Sequence, residues 1–147
     1  MNITNKNTST NNIYYLVPKI NIINTDELQV SIKQFTENYK TITNKDPPNE
    51  ITRQFNQLVV SDNELNDTFK LVIEDNIDKE FRSSIIELGK NLLQLQKTII
   101  ELTYNKIYEK VPDKKLQGQL KLIFTALSKK AQTLDNILKE KEKENKI

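Results

Sequence analysis

FRSSIIELGKNLLQLQKTIIEL, residues 81–102, is the stretch on which the fold turns. Within it Phe81, Ile85, Leu88, Leu92, Leu95, Ile99 and Leu102 recur at steps of 4, 3, 4, 3, 4 and 3. That alternation is the seam of a helix that packs knobs-into-holes, sustained over three heptads. Ile86, Leu93 and Ile100 form a second stripe beside it at sevenfold spacing. Two adjacent stripes make an apolar face too wide for a two-stranded coil and suited to a bundle of three or four helices. Gln94 and Gln96 fall on the side expected to face water.

Downstream, Val111-Pro112-Asp113 ends this helix and caps another that starts near Lys114. Its stripe is Leu116, Leu120, Ile123 and Leu127, at steps of 4, 3 and 4. Ala131, Leu134 and Leu138 resume after a second step of 4, which reads as a stutter that locally unwinds a left-handed supercoil. Gly118 weakens an early turn by roughly 1 kcal/mol against alanine. Lys139 to Lys146 alternates Lys and Glu and reads as a solvated end that frays. Residues 77–143 are therefore expected to form a long antiparallel helical hairpin of coiled-coil type.

Upstream, residues 25–76 read as short helices. Thr25 or Asp26 caps the first, whose stripe is Leu28, Ile32, Phe35, Tyr39 and Ile42, and Pro47-Pro48 stops it. Asn49 to Val60 carries Ile51, Phe55, Leu58 and Val59. Ser61-Asp62-Asn63-Glu64 has the form of a capping box that opens a third helix bearing Leu65, Phe69, Val72 and Ile73. A bend or break is expected at Asp75 to Asp78. Residues 1–24 are expected to be a disordered tail with a short apolar docking segment. Met1 to Asn12 is rich in Asn, Thr and Ser, whereas Ile13 to Ile23 gathers apolar side chains around Pro18. That segment suits docking on a partner, or strapping onto the chain's own helices.

Composition narrows the chemistry. The 147 residues include no His and no Cys, so the usual general base, the thiol nucleophile and the commonest metal ligands are missing. The two glycines, Gly89 and Gly118, stand alone and form no phosphate-cradling loop. No enzyme activity, catalytic residue, metal or cofactor is expected, nor a small-molecule substrate. The 22 basic and 20 acidic residues are interleaved, a solvated-surface pattern that gives no reason to expect direct nucleic-acid binding. No apolar run approaches the roughly 18 residues of a membrane span, and the polar start has no signal core. An intracellular protein without a membrane role is the expectation.

The two long helices would each span roughly 40 Å at 1.5 Å per residue, more than short upstream helices cover. Uncovered apolar stripes are partner sites or aggregation sites, and the first is expected here. The expected partner interface is Phe81, Ile85, Leu88, Leu92, Leu95, Ile99 and Leu102 on one helix. On the next it is Leu116, Leu120, Ile123, Leu127, Leu134 and Leu138. The expected partners are other helical protein subunits in a hetero-oligomeric complex.

Asn63-Glu64-Leu65-Asn66-Asp67-Thr68-Phe69 resembles the Asp/Asn-Glu-Leu segment followed by Phe of the Mediator subunit 28 family. Glu80-Phe81-Arg82 resembles that family's Glu-apolar-Arg helix opening. Pro112, Leu116, Leu120, Leu127, Lys130, Leu134 and Leu138 resemble its proline-started terminal coiled coil. The resemblance covers about half the chain, from Asn63 to Glu140. It implies a nuclear, non-catalytic scaffold subunit of the Mediator coactivator of RNA polymerase II transcription. The helix-seam pattern alone also suits a cytoplasmic tethering, trafficking or cytoskeletal coiled-coil subunit.

Overall fold

A computed structural model describes residues 23–74 and 76–146. The expected disorder of residues 1–12 and the docking segment before Ile23 lie outside these residues. The described residues are all-helical: α1 (Thr25–Thr43), α2 (Asn49–Val72), α3 (Lys79–Tyr108) and α4 (Lys114–Lys146).

Local chemistry sets most helix ends. The α1 cap is Asn24, one residue before the expected Thr25. Its side chain accepts from the Glu27 N–H at 2.8 Å, and the Glu27 carboxylate accepts from the Asn24 N–H at 3.2 Å. This reciprocal pair satisfies two donors that a helix start leaves open. α1 stops at Asn44, whose φ of 59° is left-handed, a conformation that asparagine tolerates. The helix thus ends before Pro47-Pro48 can clash with it. Asp78 accepts from the N–H groups of Glu80 and Phe81 to cap α3, and Asp113 accepts from those of Lys115 and Leu116 to cap α4.

α2 departs from expectation, because it runs unbroken through Ser61-Asp62-Asn63-Glu64. The capping box is not used: Ser61 donates to the Gln96 side chain of α3, and Asp62 turns inward to Lys130 of α4. With those side chains engaged across the bundle, the helix continues. Its buried seam is Ile51, Phe55, Leu58, Asp62, Leu65, Phe69 and Val72, at steps of 4, 3, 4, 3, 4 and 3. The expected frayed end of α4 is also helical and tied to α3. Lys90 pairs with Glu142, and the Asn145 amide donates to the Lys79 carbonyl at 3.2 Å.

Sequence neighbours run antiparallel. Gln54 meets Thr103 and Glu50 meets Lys110 between α2 and α3, while Lys97 meets Asp135 between α3 and α4. α1 closes the ring against α2 and α4. α2 covers α3 as fully as α4 does, so residues 25–76 and 77–143 share one core.

That core has two parts. Four helices build the first around Leu28, Phe35, Phe55, Leu58, Ile107, Leu116, Leu120 and Leu127, with Phe35 and Phe55 edge-on at 5.5 Å. Among the described residues, α2, α3 and α4 build the second, around Leu65, Phe69, Val72, Ile86, Leu93, Leu134 and Leu138. Burying each such side chain stabilises the fold by about 1.5–3 kcal/mol. Near their junction lies a polar layer. Lys130 donates to Asp62 at 2.8 Å, and the Thr25 hydroxyl donates to the other Asp62 oxygen at 2.7 Å. Asn66 in turn donates to the Thr25 hydroxyl at 2.6 Å.

Candidate functional site

α3 is the helix that carries two apolar stripes, and the bundle buries the one the heptad spacing ranks second. Ile86, Gly89, Leu93, Gln96, Ile100, Thr103 and Ile107 are buried, at steps of 3, 4, 3, 4, 3 and 4. This is the expected seam displaced by one residue. A one-residue step turns a helix by about 100°, so the expected partner seam faces elsewhere. Phe81 is 50% exposed, Leu88 45%, Leu95 51% and Leu102 56%. Leu92 and Ile99 are half-buried at the edge, and Ile85 is buried in the chain's own core.

The displacement has a steric and a polar cause. Gly89, Gln96 and Thr103 are the small or polar residues of this buried seam. At Gly89 an added Cβ would lie 3.0 Å from Leu138, 3.7 Å from Val72 and 3.8 Å from Phe69. A bulky side chain there would push the helices apart. Gln96 accepts from Ser61, and the Thr103 hydroxyl donates to Gln54 at 3.2 Å. Gln96, expected to be wet, is therefore a core residue.

The α4 half of the expected interface is corrected outright. Leu116, Leu120, Ile123, Leu127, Leu134 and Leu138 are all buried inside this chain and present nothing to a partner. The reason is that α3 packs along α4 and α1 closes much of its remaining apolar side, with α2 adding little. Lys130 is buried beside Ala131. Counting it in the seam gives 116, 120, 123, 127, 130, 134 and 138, at steps of 4, 3, 4, 3, 4 and 4, so the doubled step moves to the end of the seam. The signal was present in the spacing but was hidden by the charge. Asp62, midway between Leu58 and Leu65, was hidden in the same way.

What remains exposed on α3 is an apolar ridge at sevenfold spacing. From Phe81 to Leu102 it runs about 32 Å along the helix. On its outer flank stand Ser84, Asn91, Thr98 and Asn105, all exposed and uncharged. Ser84 and Thr98 donate to their own helix carbonyls at Glu80 and Gln94, which reduces their demand for water. Glu87 and Glu101 stand one position further round. On its inner flank the ridge borders a groove with α2, where Val60 is 59% exposed beside Leu92, Leu95 and Ile99. Arg53 and Glu64 stand at the rim of that groove.

Ion pairs tie the ends of the helices without entering this face. A hydrogen bond from Lys110, reinforced by its charge, holds the Glu50 carboxyl below the usual carboxylate range. Lys90 does the same for Glu142, and the Lys90 amine is itself raised by that bond. Between α3 and α4 another groove is lined by Lys97, Tyr104, Lys121, Phe124 and Lys129. Among the described residues, no three His, Cys, Asp or Glu side chains gather to hold a metal ion, and no helix is long and apolar enough to cross a membrane. No protein family matches this chain, and neither a curated protein nor a solved structure matches it.

Proposed function

We propose that this protein is a non-catalytic helical scaffold subunit that receives an amphipathic helix of another protein along α3. The supporting observation is the ridge of Phe81, Leu88, Leu95 and Leu102, half-exposed along one line of α3. Side chains of this size left in water along one line are the mark of a contact surface. The partner helix lies in the groove between α3 and α2, its apolar stripe on Leu92, Leu95, Ile99 and Val60. Coiled-coil packing on this seam would turn a four-helix bundle into a larger assembly. The assembly we place first is the Mediator coactivator in the nucleus, on the likeness of Asn63 to Glu140 to Mediator subunit 28.

The test is a co-purification from source cells with Leu95→Asp beside Gln94→Asp. Gln94 is the proper control because it is exposed, whereas Gln96 is not. Leu95→Asp should lose its partners while its circular dichroism stays native, and Gln94→Asp should keep both. Partners retained by Leu95→Asp would remove the ridge as the interface. Recovery of a stable set of cytoplasmic tethering subunits, lost in Leu95→Asp, would keep the ridge and reject Mediator.

A further inference from the structure

Acidic and basic residues alternate over most of the chain, but they part on α4. From Lys114 to Leu134 there are five lysines and no Asp or Glu. Lys130 is engaged inside the bundle by Asp62. Lys121 and Lys129 stay exposed, and both line the groove between α3 and α4. Lys97, on the α3 wall, lies 3.9 Å from Asp135, which Lys139 also approaches at 3.2 Å. Three lysines against one carboxylate, Glu101, leave the lining basic. Lys121 and Lys129 are the cations it offers to something else.

The groove has room. Its α4 wall carries Thr125, Ser128 and Ala131, side chains too small to close it, and the cavity measures about 690 Å³. Its base is apolar, with Ile100, Phe124 and Ala131 buried there. Tyr104 packs on Phe124 at 5.3 Å and on Tyr108 at 5.1 Å, which holds its ring in place. Such a base takes a bulky apolar side chain. Lys121 and Lys129 stand about 12 Å apart along α4, a little over two helical turns. We infer that this groove binds an acidic peptide segment of another protein. An aromatic or large aliphatic side chain of the segment lies on the apolar base, and carboxylates two helical turns apart meet Lys121 and Lys129. The cavity is open along its side, which suits a peptide rather than a small molecule that needs most of its surface covered. A nucleic acid is disfavoured, because Glu101 opposes phosphate and Tyr104 is engaged by Phe124 and Tyr108 instead of standing free to stack on a base. The site lies on the α4 side of α3, whereas the groove beside the ridge lies on the α2 side, so the inference does not rest on the role of the ridge.

The probe is a fluorescein-labelled helical peptide with two Glu residues two helical turns apart and a Phe midway between them. It is titrated with the full chain and read by fluorescence anisotropy. The native chain should bind it saturably. Lys121→Glu/Lys129→Glu should weaken it by about tenfold or more, because each exchange turns an attraction into a repulsion. A peptide with Lys in place of both Glu should reverse that order and prefer the double variant. Ser128→Trp, which fills the groove and keeps its charge, should also weaken the acidic peptide, and Leu95→Asp should leave it unchanged. All four positions are exposed, so circular dichroism should show native helix content in each variant. Absence of saturable binding, equal binding by the native chain and the double variant, or tighter binding of a dT oligonucleotide would each overturn the inference. So would loss of binding in Leu95→Asp, which would move the peptide to the ridge, or full binding by Ser128→Trp, which would reduce the contact to surface charge.

Discussion

The two apolar stripes of α3 are nearly equal as sequence and opposite as structure. Ile86, Leu93, Ile100 and Ile107 are at most 7% exposed, whereas Phe81, Leu88, Leu95 and Leu102 are at least 45% exposed. Leu93 and Leu95 are two residues apart and do unrelated work. One holds the chain together, and the other is free to hold something else. Apolar content does not decide between them. The side chains lying between the stripes do, because Gly89 permits close approach, Gln96 accepts from Ser61 of α2 and Thr103 donates to Gln54 of α2.

The largest contrast should come from placing a charge on each stripe. Leu93→Asp removes a core leucine and leaves a carboxylate dry, at a cost of about 5 kcal/mol or more. The isolated chain should unfold at ambient temperature by circular dichroism. Leu95→Asp in the same isolated chain should shift stability by no more than about 0.5 kcal/mol. Equal destabilisation by the two would mean that α3 is rotated from the orientation described.

The polar layer offers the next contrast. Lys130→Met strands the Asp62 carboxylate in the interior and should cost about 3–5 kcal/mol. Asp62→Leu combined with Lys130→Met removes both charges and should recover most of that loss. Denaturant midpoints of the two variants decide this. A double variant no more stable than the single one would show that the hydrogen bonds from Thr25 outweigh the ion pair.

The glycines separate the buried side of the bundle from its open side by a smaller margin. Nothing lies within 4 Å of a Cβ placed on Gly118, so Gly118→Ala should stabilise the chain by about 1 kcal/mol. Gly89→Ala gains the same helix propensity but presses on Leu138. Its melting midpoint should fall below that of Gly118→Ala.

The smallest effect is electrostatic. The Glu50 and Glu142 carboxyls are held below their ordinary range, so their pairs contribute above the unfolded value near pH 4.3. The contribution fades as pH falls through the lower folded values. Lys90, raised by Glu142, contributes below about pH 10.4 and loses its share as pH climbs through the raised value. Both pairs are partly exposed and screened by salt. The difference in melting midpoint between the native chain and Lys90→Met/Lys110→Met should therefore narrow from pH 6 to pH 3.

The sequence by itself determined that the chain is helical and which positions form most of its apolar stripes. Leu28, Phe35, Phe55, Leu116, Leu120, Leu127, Leu134 and Leu138 were all legible as core-type stripes, because 3.6-residue periodicity is a local property. Asp113 was legible at a helix start for the same reason, whereas Asp78 was legible only as part of a bend or break. What only the tertiary structure decided is which polar residues belong inside. Asp62, Gln96, Thr103 and Lys130 each occupy a seam position, and each is buried only because a partner on another helix satisfies it. Those pairings let α2 run past a capping box, move the doubled step of α4 to Leu134–Leu138, and turn α3 by one residue. The ridge on α3 is exposed as a consequence. Periodicity along one helix says that an apolar stripe must be covered, but only the partners of the residues between the stripes say which stripe this chain covers itself.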